Sequence, residues 1–280
     1  MHAVEMITEL EDPRLIPFRN MKAQDDDAGH EIFIAEDPKV VRRFLASPHE
    51  VTAIVVSPRW RPEFEALIAS RTSPLTLLVV DQRILEMITG YKMYQGVMAL
   101  GRIPPSISEA ELLNPPNRPD RGQHRLLLVA DGLTNAENVG TLIRNAIALG
   151  VDTFVSGENS AHPYLRRSVR ASMGNIFRLP YFRSTNLLDT ILQLQANGIP
   201  CLAAVPRPSA PTLWETSFVR DVAVVIGAEG PGLRPEVIAA CAASVSIPMQ
   251  SGVDSLNVGS AAAVLLAESV RQRWLATAPH

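Results

Sequence analysis

The second half of the chain alternates short runs of Leu, Val and Ile with helix-length segments, and few folds accept that order. "RLLLVADG", "TFVSG", "IPCLAAV" and "VAVVIGAEG" are nearly continuous in apolar residues, whereas "ENVGTLIRNAIALG", "LLDTILQLQANG" and "RPEVIAACAA" carry helical spacing. A strand that is apolar on both faces must be covered on both faces. That is the condition of a parallel sheet in a doubly wound α/β domain. Open sheets of this kind bind ligands at the carboxyl ends of their strands, so the loops that emerge there carry the chemistry.

A break precedes this half. Arg102 to His124, "RIPPSISEAELLNPPNRPDRGQH", holds five prolines and reads as a linker with at most a helical turn at "SEAELL". The expected division is therefore 1–102 as an N-terminal domain, 103–124 as linker and 125–280 as the doubly wound domain. In the N-terminal block, "DPKVVRRFLAS", "PEFEALIAS" and "RILEMITG" read as helices, and "VTAIVVS", "LTLLVVD" and "GVMALGR" as buried strands, giving a smaller α/β domain. About the first thirty residues, with "QDDDAGH", are expected to form an irregular arm.

Composition excludes several classes. With 280 residues, 46% apolar and 20% charged, the chain fills a sizeable core. Its net charge of −3 means that any nucleic-acid surface must be a local basic patch. Cys201 and Cys241 stand apart without a CxxC pair and the six His are scattered, so neither a zinc site nor a disulfide framework is expected, and no metal. A reducing, cytoplasmic setting follows as the default. No stretch approaches the roughly 18 apolar residues of a membrane span, and the acidic N-terminus lacks the pattern of a signal peptide.

Three strand-to-helix loops stand out. In "NAENVGTLIRNA", Asn138 precedes Arg144 by six residues, with Gly140 between them. In isolation this is equally a capped helix with a solvated arginine. "VIGAEGPGL" follows a strand directly, and its glycines let a ligand press against bare backbone. It fits neither the P-loop, for want of Lys-Ser or Lys-Thr, nor the GxGxxG dinucleotide fingerprint, so the choice between an ordinary turn and a binding loop stays open. In "SIPMQSGVDSLNVGSAAAVLLAE", Ser255 is a plausible N-cap of a last helix, with Leu256 and Asn257 in its first turn.

Taken together and in this order, the three segments resemble the sequence motifs of the SpoU family of RNA ribose methyltransferases, within the wider SPOUT group. The match comprises Asn138 and Arg144 in "NVGTLIRNA", Gly227-Ala228-Glu229-Gly230, and "IPM" with "SLNV"; it runs from Leu126 to about Arg273 and includes "HPYLRRSVRASMGNIFRLP". Gly259 stands where the family commonly has Ser.

The resemblance implies S-adenosylmethionine as methyl donor, a ribose 2′-hydroxyl of tRNA or rRNA as acceptor, a deep trefoil knot at the carboxyl end, and a homodimer. Carried over by motif, Gly227, Ala228, Gly230, Ile247, Met249 and Leu256 would hold the cofactor. Arg144, Asn138, Glu229, Ser255 and Asn257 would serve the transfer, with Arg144 gripping phosphate and Glu229 bracing Asn138 or Arg144. The arginines between Asn159 and Leu188, a stretch without acidic residues, would bind RNA, foremost Arg166, Arg167 and Arg170. A merely solvated basic face is the other reading. The N-terminal block resembles a ribosomal-protein-like substrate-binding domain, but Tyr94 stands where that domain often has His, so no RNA contact is carried over to it. Two alternatives compete: a catalytically silent RNA-binding relative on the same scaffold, and a nucleotide-binding oxidoreductase, which the failed glycine fingerprint disfavours.

Overall fold

The structure, a computed structural model, describes residues 3–19, 32–89, 96–116, 124–207 and 209–277. The chain divides into two compact units, Met1–Pro105 with Tyr164–Phe177, and Ser106–Pro163 with Arg178–His280.

The first unit is built on a five-stranded sheet. Its strands are β1 (Ala3–Ile7), β2 (Ile32–Glu36), β3 (Val51–Val56), β4 (Thr76–Val80) and β5 (Val97–Arg102), in the order β1-β4-β3-β5-β2. β1, β4 and β3 run parallel; β5 and β2 are antiparallel to their neighbours. Helices α1 (Ile16–Arg19), α2 (Pro38–Leu45), α3 (Arg61–Ala69) and α4 (Gln82–Thr89) complete it. The Asp-Pro start of α2 works as expected, the Asp37 carboxylate accepting from the Lys39 N–H at 2.8 Å.

The irregular arm expected at the N-terminus is corrected for residues 3–19. β1 pairs in register with β4, and Leu15 and Phe18 are fully buried. The signal was weak because β1 is a short edge strand whose side chains, except Ile7, stay at least partly exposed. "QDDDAGH" and Tyr94 lie outside the described residues.

The second unit carries one six-stranded sheet, ordered β11-β9-β10-β6-β7-β8 and parallel throughout. It opens with α5 (Glu109–Leu113), a helix inside the proline-rich stretch closed by a reciprocal Ser108–Glu111 capping box, whose Leu112 joins the core. There follow β6 (Leu126–Asp131), α6 (Ala136–Ala148), β7 (Thr153–Ser156), α7 (Arg166–Ala171), β8 (Tyr181–Arg183), α8 (Leu187–Ala196), β9 (Cys201–Ala204), β10 (Val222–Gly227), α9 (Pro235–Ala240), β11 (Ala243–Val245) and α10 (Val258–Thr277). Leu127, Val129, Val155, Ala223 and Val225 bury one face beneath Leu112, Ile191, Leu194 and Val237 of α5, α8 and α9. α10 packs against α6 and β10. The sheet grows from β6 outward to β8, then resumes on the other side with β9 and β10, so β6 and β10 meet at a switch point.

α7 belongs to the first unit, within Tyr164–Phe177. There Tyr164 and Phe177 join an aromatic cluster with Phe33 and Phe44, with ring centroids 4.8–5.7 Å apart for Phe33 with Phe44, Tyr164 and Phe177. Among the described residues no helix is long and apolar enough to cross a membrane.

The last helix starts at Val258, not at Ser255. Asn257 takes the cap: its Oδ1 accepts from the Gly259 N–H at 2.9 Å and its carbonyl opens the helical ladder. At the other end Arg273 donates to the carbonyls of Phe218, His124, Arg125 and Arg220 at 2.8–2.9 Å. Replacing Arg273 by Ala removes these four hydrogen bonds at once, and should lower the unfolding free energy by about 3 kcal/mol, read as an earlier urea midpoint at unchanged slope.

Candidate active site

At the carboxyl ends of β9, β10 and β11 lies a cavity of about 320 Å³. Its depth is apolar, formed by Ile226, Val245, Ala261 and Leu265, and its mouth carries Ile247, Met249 and Leu256. All six residues expected to hold a cofactor, Gly227, Ala228, Gly230, Ile247, Met249 and Leu256, line it, and so do Glu229, Ser255 and Asn257. Asn138 and Arg144 do not.

β10 delivers the glycine loop. The chain leaves the ladder at Gly227 and folds back at once, the Gly232 N–H donating to the Ala228 carbonyl at 3.0 Å. A Cβ on Gly227 would sit 2.2 Å from the Leu233 nitrogen, so only glycine admits so tight a return. Gly227, Gly230 and Gly232 all line the cavity, so the loop brings little side-chain bulk to its wall.

The first loop enters α6. Asn135 caps this helix, its Oδ1 accepting from the N–H groups of Glu137 (2.8 Å) and Asn138 (3.4 Å). Arg144 lies exposed about one and a half turns beyond Asn138 and makes no ion pair among the described residues. One turn of α6 also holds the third loop: Asn145 Nδ2 donates to the Gly259 carbonyl at 2.7 Å, and a Cβ on Gly259 would meet Thr141 Cγ2 at 2.5 Å. Gly259 is thus a close-packing residue against α6. Neither Asn145 nor Thr141 stood out in the sequence. The signal lay in helical phase, since Thr141 and Asn145 share a face with Asn138.

Asn257 joins the three loops. With Oδ1 committed to the Gly259 N–H, its Nδ2 must point outward, where it donates to Glu229 Oε1 at 2.6 Å and reaches Asn138 Oδ1 at 3.5 Å. The donor-only amides at the helix start fix this orientation of the amide. The expected bracing by Glu229 therefore reaches Asn138 through Asn257. Ser255 is exposed at the rim and Leu256 is 40% exposed, an apolar side chain left at the mouth of an apolar cavity.

The three arginines expected to contact RNA lie in the first unit. Arg166 is held at 2.7 Å by Glu36, itself buried, whereas Arg167 and Arg170 are exposed and Arg170 stands 3.9 Å from the same carboxylate.

Comparison with known proteins adds the family. The model of the SpoU rRNA Methylase family matches residues 125–267. A Mycobacterium bovis protein named as an uncharacterized tRNA/rRNA methyltransferase is 32% identical over 96% of this chain and 92% of its own length. A 23S rRNA (guanosine-2′-O-)-methyltransferase RlmB from Ralstonia nicotianae is 32% identical over 74% of this chain and 81% of its own. A solved RNA 2′-O ribose methyltransferase superposes with a TM-score of 0.75 at 27% identity, covering 98% of this chain and 99% of that one. Matched by the family model over half its length and by a relative over nearly all of it, the chain belongs to the SpoU rRNA Methylase family.

Proposed function

We infer that this protein is an RNA methyltransferase that places a methyl group on a ribose 2′-hydroxyl of tRNA or rRNA, with S-adenosylmethionine as donor. The observation that carries this reading is the Asn257 junction, which ties the three family motifs around one cavity.

The cavity suits such a donor. At about 320 Å³, with apolar walls and a few polar groups at one rim, it matches a small nucleoside-bearing molecule. Gly227, Ala228 and Gly230 would hold it through backbone groups, and Ile247, Met249 and Leu256 through apolar contact. The donor supplies an electrophilic sulfonium methyl. The chain's own share is alignment and the exclusion of water, and orientation of the two reactants is worth at most about 7–11 kcal/mol. The part of Arg144 is to grip phosphate and stabilise charge developing on the 2′-oxygen; its guanidinium offers hydrogen-bond donors and no acceptor, so it does not remove the proton.

The finer features belong to the same reading. A threaded, trefoil-knotted carboxyl end is supported by the path of the chain, which leaves the edge strand β11 and returns past the β10 loop to pack α10 on α6. The first unit serves as the ribosomal-protein-like RNA-holding domain, and Arg167 and Arg170 offer exposed charge to phosphate. A homodimer is supported by apolar residues exposed along α10: Val264, Val270, Trp274 and Leu275. The free thiols Cys201 and Cys241 accord with the cytoplasm.

Transfer of labelled methyl from S-adenosylmethionine to total RNA, with mapping of the modified riboses, tests the reading; a folded protein that binds RNA without transfer would be the silent relative instead. Arg144→Ala should lower the turnover number roughly 100- to 1,000-fold while the donor's Kd stays within about twofold. Asn257→Asp sets a carboxylate against Glu229, so donor affinity should fall about tenfold at neutral pH and recover in part as the pair takes up a proton in acid. Trp274→Glu should shift the sedimentation of the full chain from dimer toward monomer.

A further inference from the structure

The glycine loop is gripped from behind by side chains that do not line the cavity. Asp131 ends β6, directly opposite Gly227 in the ladder, and is 1% exposed. A carboxylate so deeply buried must be paired. Both its oxygens go to one residue: Oδ2 accepts from the Arg234 backbone N–H at 3.1 Å, and Oδ1 from Arg234 Nε at 2.8 Å. Arg234 is the residue that follows the loop. Its guanidinium also reaches Glu158 at 2.8 Å, in the turn after β7. The other oxygen of Glu158 accepts from the Leu187 N–H at 2.9 Å, in the first turn of α8.

We propose that Arg234 is a positioning residue of the methyl-transfer site: bridging Asp131 and Glu158, it holds the Gly227–Leu233 loop in its donor-binding shape. This rests on the methyltransferase reading and adds to it a residue that none of the three motif loops supplied. The loop is fixed at its start by the β10 ladder and at its end by main-chain and side-chain bonds from one residue to β6. Between these anchors stand Gly227, Ala228 and Glu229, and Glu229 carries the fix onward to Asn257. A lysine cannot replace the guanidinium, because one ammonium lacks the planar fork that serves two carboxylates on different loops. Glu158 completes the clamp. Burial raises its pKa, but the N–H groups of Glu158 and Leu187 and the Arg234 guanidinium outweigh that and hold it below the usual carboxylate range.

The test uses the full chain. The donor's Kd is measured by calorimetry, its KM and that of RNA by methyl transfer, and folding by thermal melting, for wild type, Arg234→Ala, Arg234→Lys and Glu158→Gln. Both Arg234 variants should raise the donor's Kd and KM about tenfold, and Glu158→Gln about threefold, with the KM for RNA unmoved. A merely structural role would lower the melting temperature and the fraction of active protein while leaving the donor's Kd in the folded fraction at the wild-type value; that result overturns the proposal. If Arg234→Ala does not fold, the milder Arg234→Lys and Glu158→Gln decide. In a double-mutant cycle, Asp131→Asn combined with Arg234→Lys should cost no more donor affinity than the worse single change, and full additivity would count against the clamp. Wild type failing to bind S-adenosylmethionine removes the methyltransferase reading and the proposal together; wild type binding beside unmoved variants removes the proposal alone.

Discussion

The amide of Asn257 has three obligations, and the arrangement of the site follows from meeting them together. A helix start presents only N–H groups, so the amide oxygen must face Gly259 and the amide nitrogen must face outward. Outward lies Glu229, a charge-assisted partner at 2.6 Å, with Asn138 at the limit of reach. The bond to the carboxylate dominates the pair. At an exposed position it is worth about 1 kcal/mol, modest for folding but enough to choose one loop arrangement over another. Residues from three loops, separated by 28 and 119 positions along the chain, are brought into register by this one group.

How much of this the sequence disclosed follows from where each signal is stored. The parallel strands were legible because both their faces are buried, which forces runs such as "LLLVA" and "VAVVI". The strand β1 was not, since an edge strand with mixed exposure has no such run. The cavity-lining residues were legible through the motifs, which are local. Ser255 was read as the cap, but Asn caps a helix as well as Ser does and local chemistry does not choose between them; Glu229 and the Gly259 N–H decide for Asn257. Arg166 read as a phosphate ligand because its neighbourhood is basic, yet its partner Glu36 lies 130 residues away. Arg234 and Asp131, 103 residues apart, were silent for the same reason. Local pattern reveals propensity and burial, whereas ion pairs between distant segments are fixed only once the chain has folded.

That distinction bears on the basic segment. Of the arginines on α7, Arg166 is taken up by a carboxylate inside the first unit, and the aromatic contacts of Tyr164 and Phe177 secure the rest of the segment there. Arg167 and Arg170, which are exposed, are therefore carried on an ordered base rather than on a free arm. For a chain of net charge −3, any surface that attracts a polyanion must be a local one of this kind.

The glycine loop shows why so much of the site's structure lies outside its walls. A loop that offers backbone to a ligand needs residues without side chains, and Gly227, Gly230 and Gly232 supply them. The same choice removes the side-chain packing that would otherwise hold the loop, and glycine loses more conformational freedom on ordering than any other residue. The deficit must be met from the ends. Arg234 on Asp131 meets it at the sheet, and Asn257 on Glu229 meets it at the mouth. Leu256 poses the complementary problem, an apolar group 40% exposed at the rim. An apolar group seated in the cavity against Leu256 would gain about 25 cal/mol for each Å² it covers, so the rim would add an apolar contribution that glycine backbone alone cannot supply.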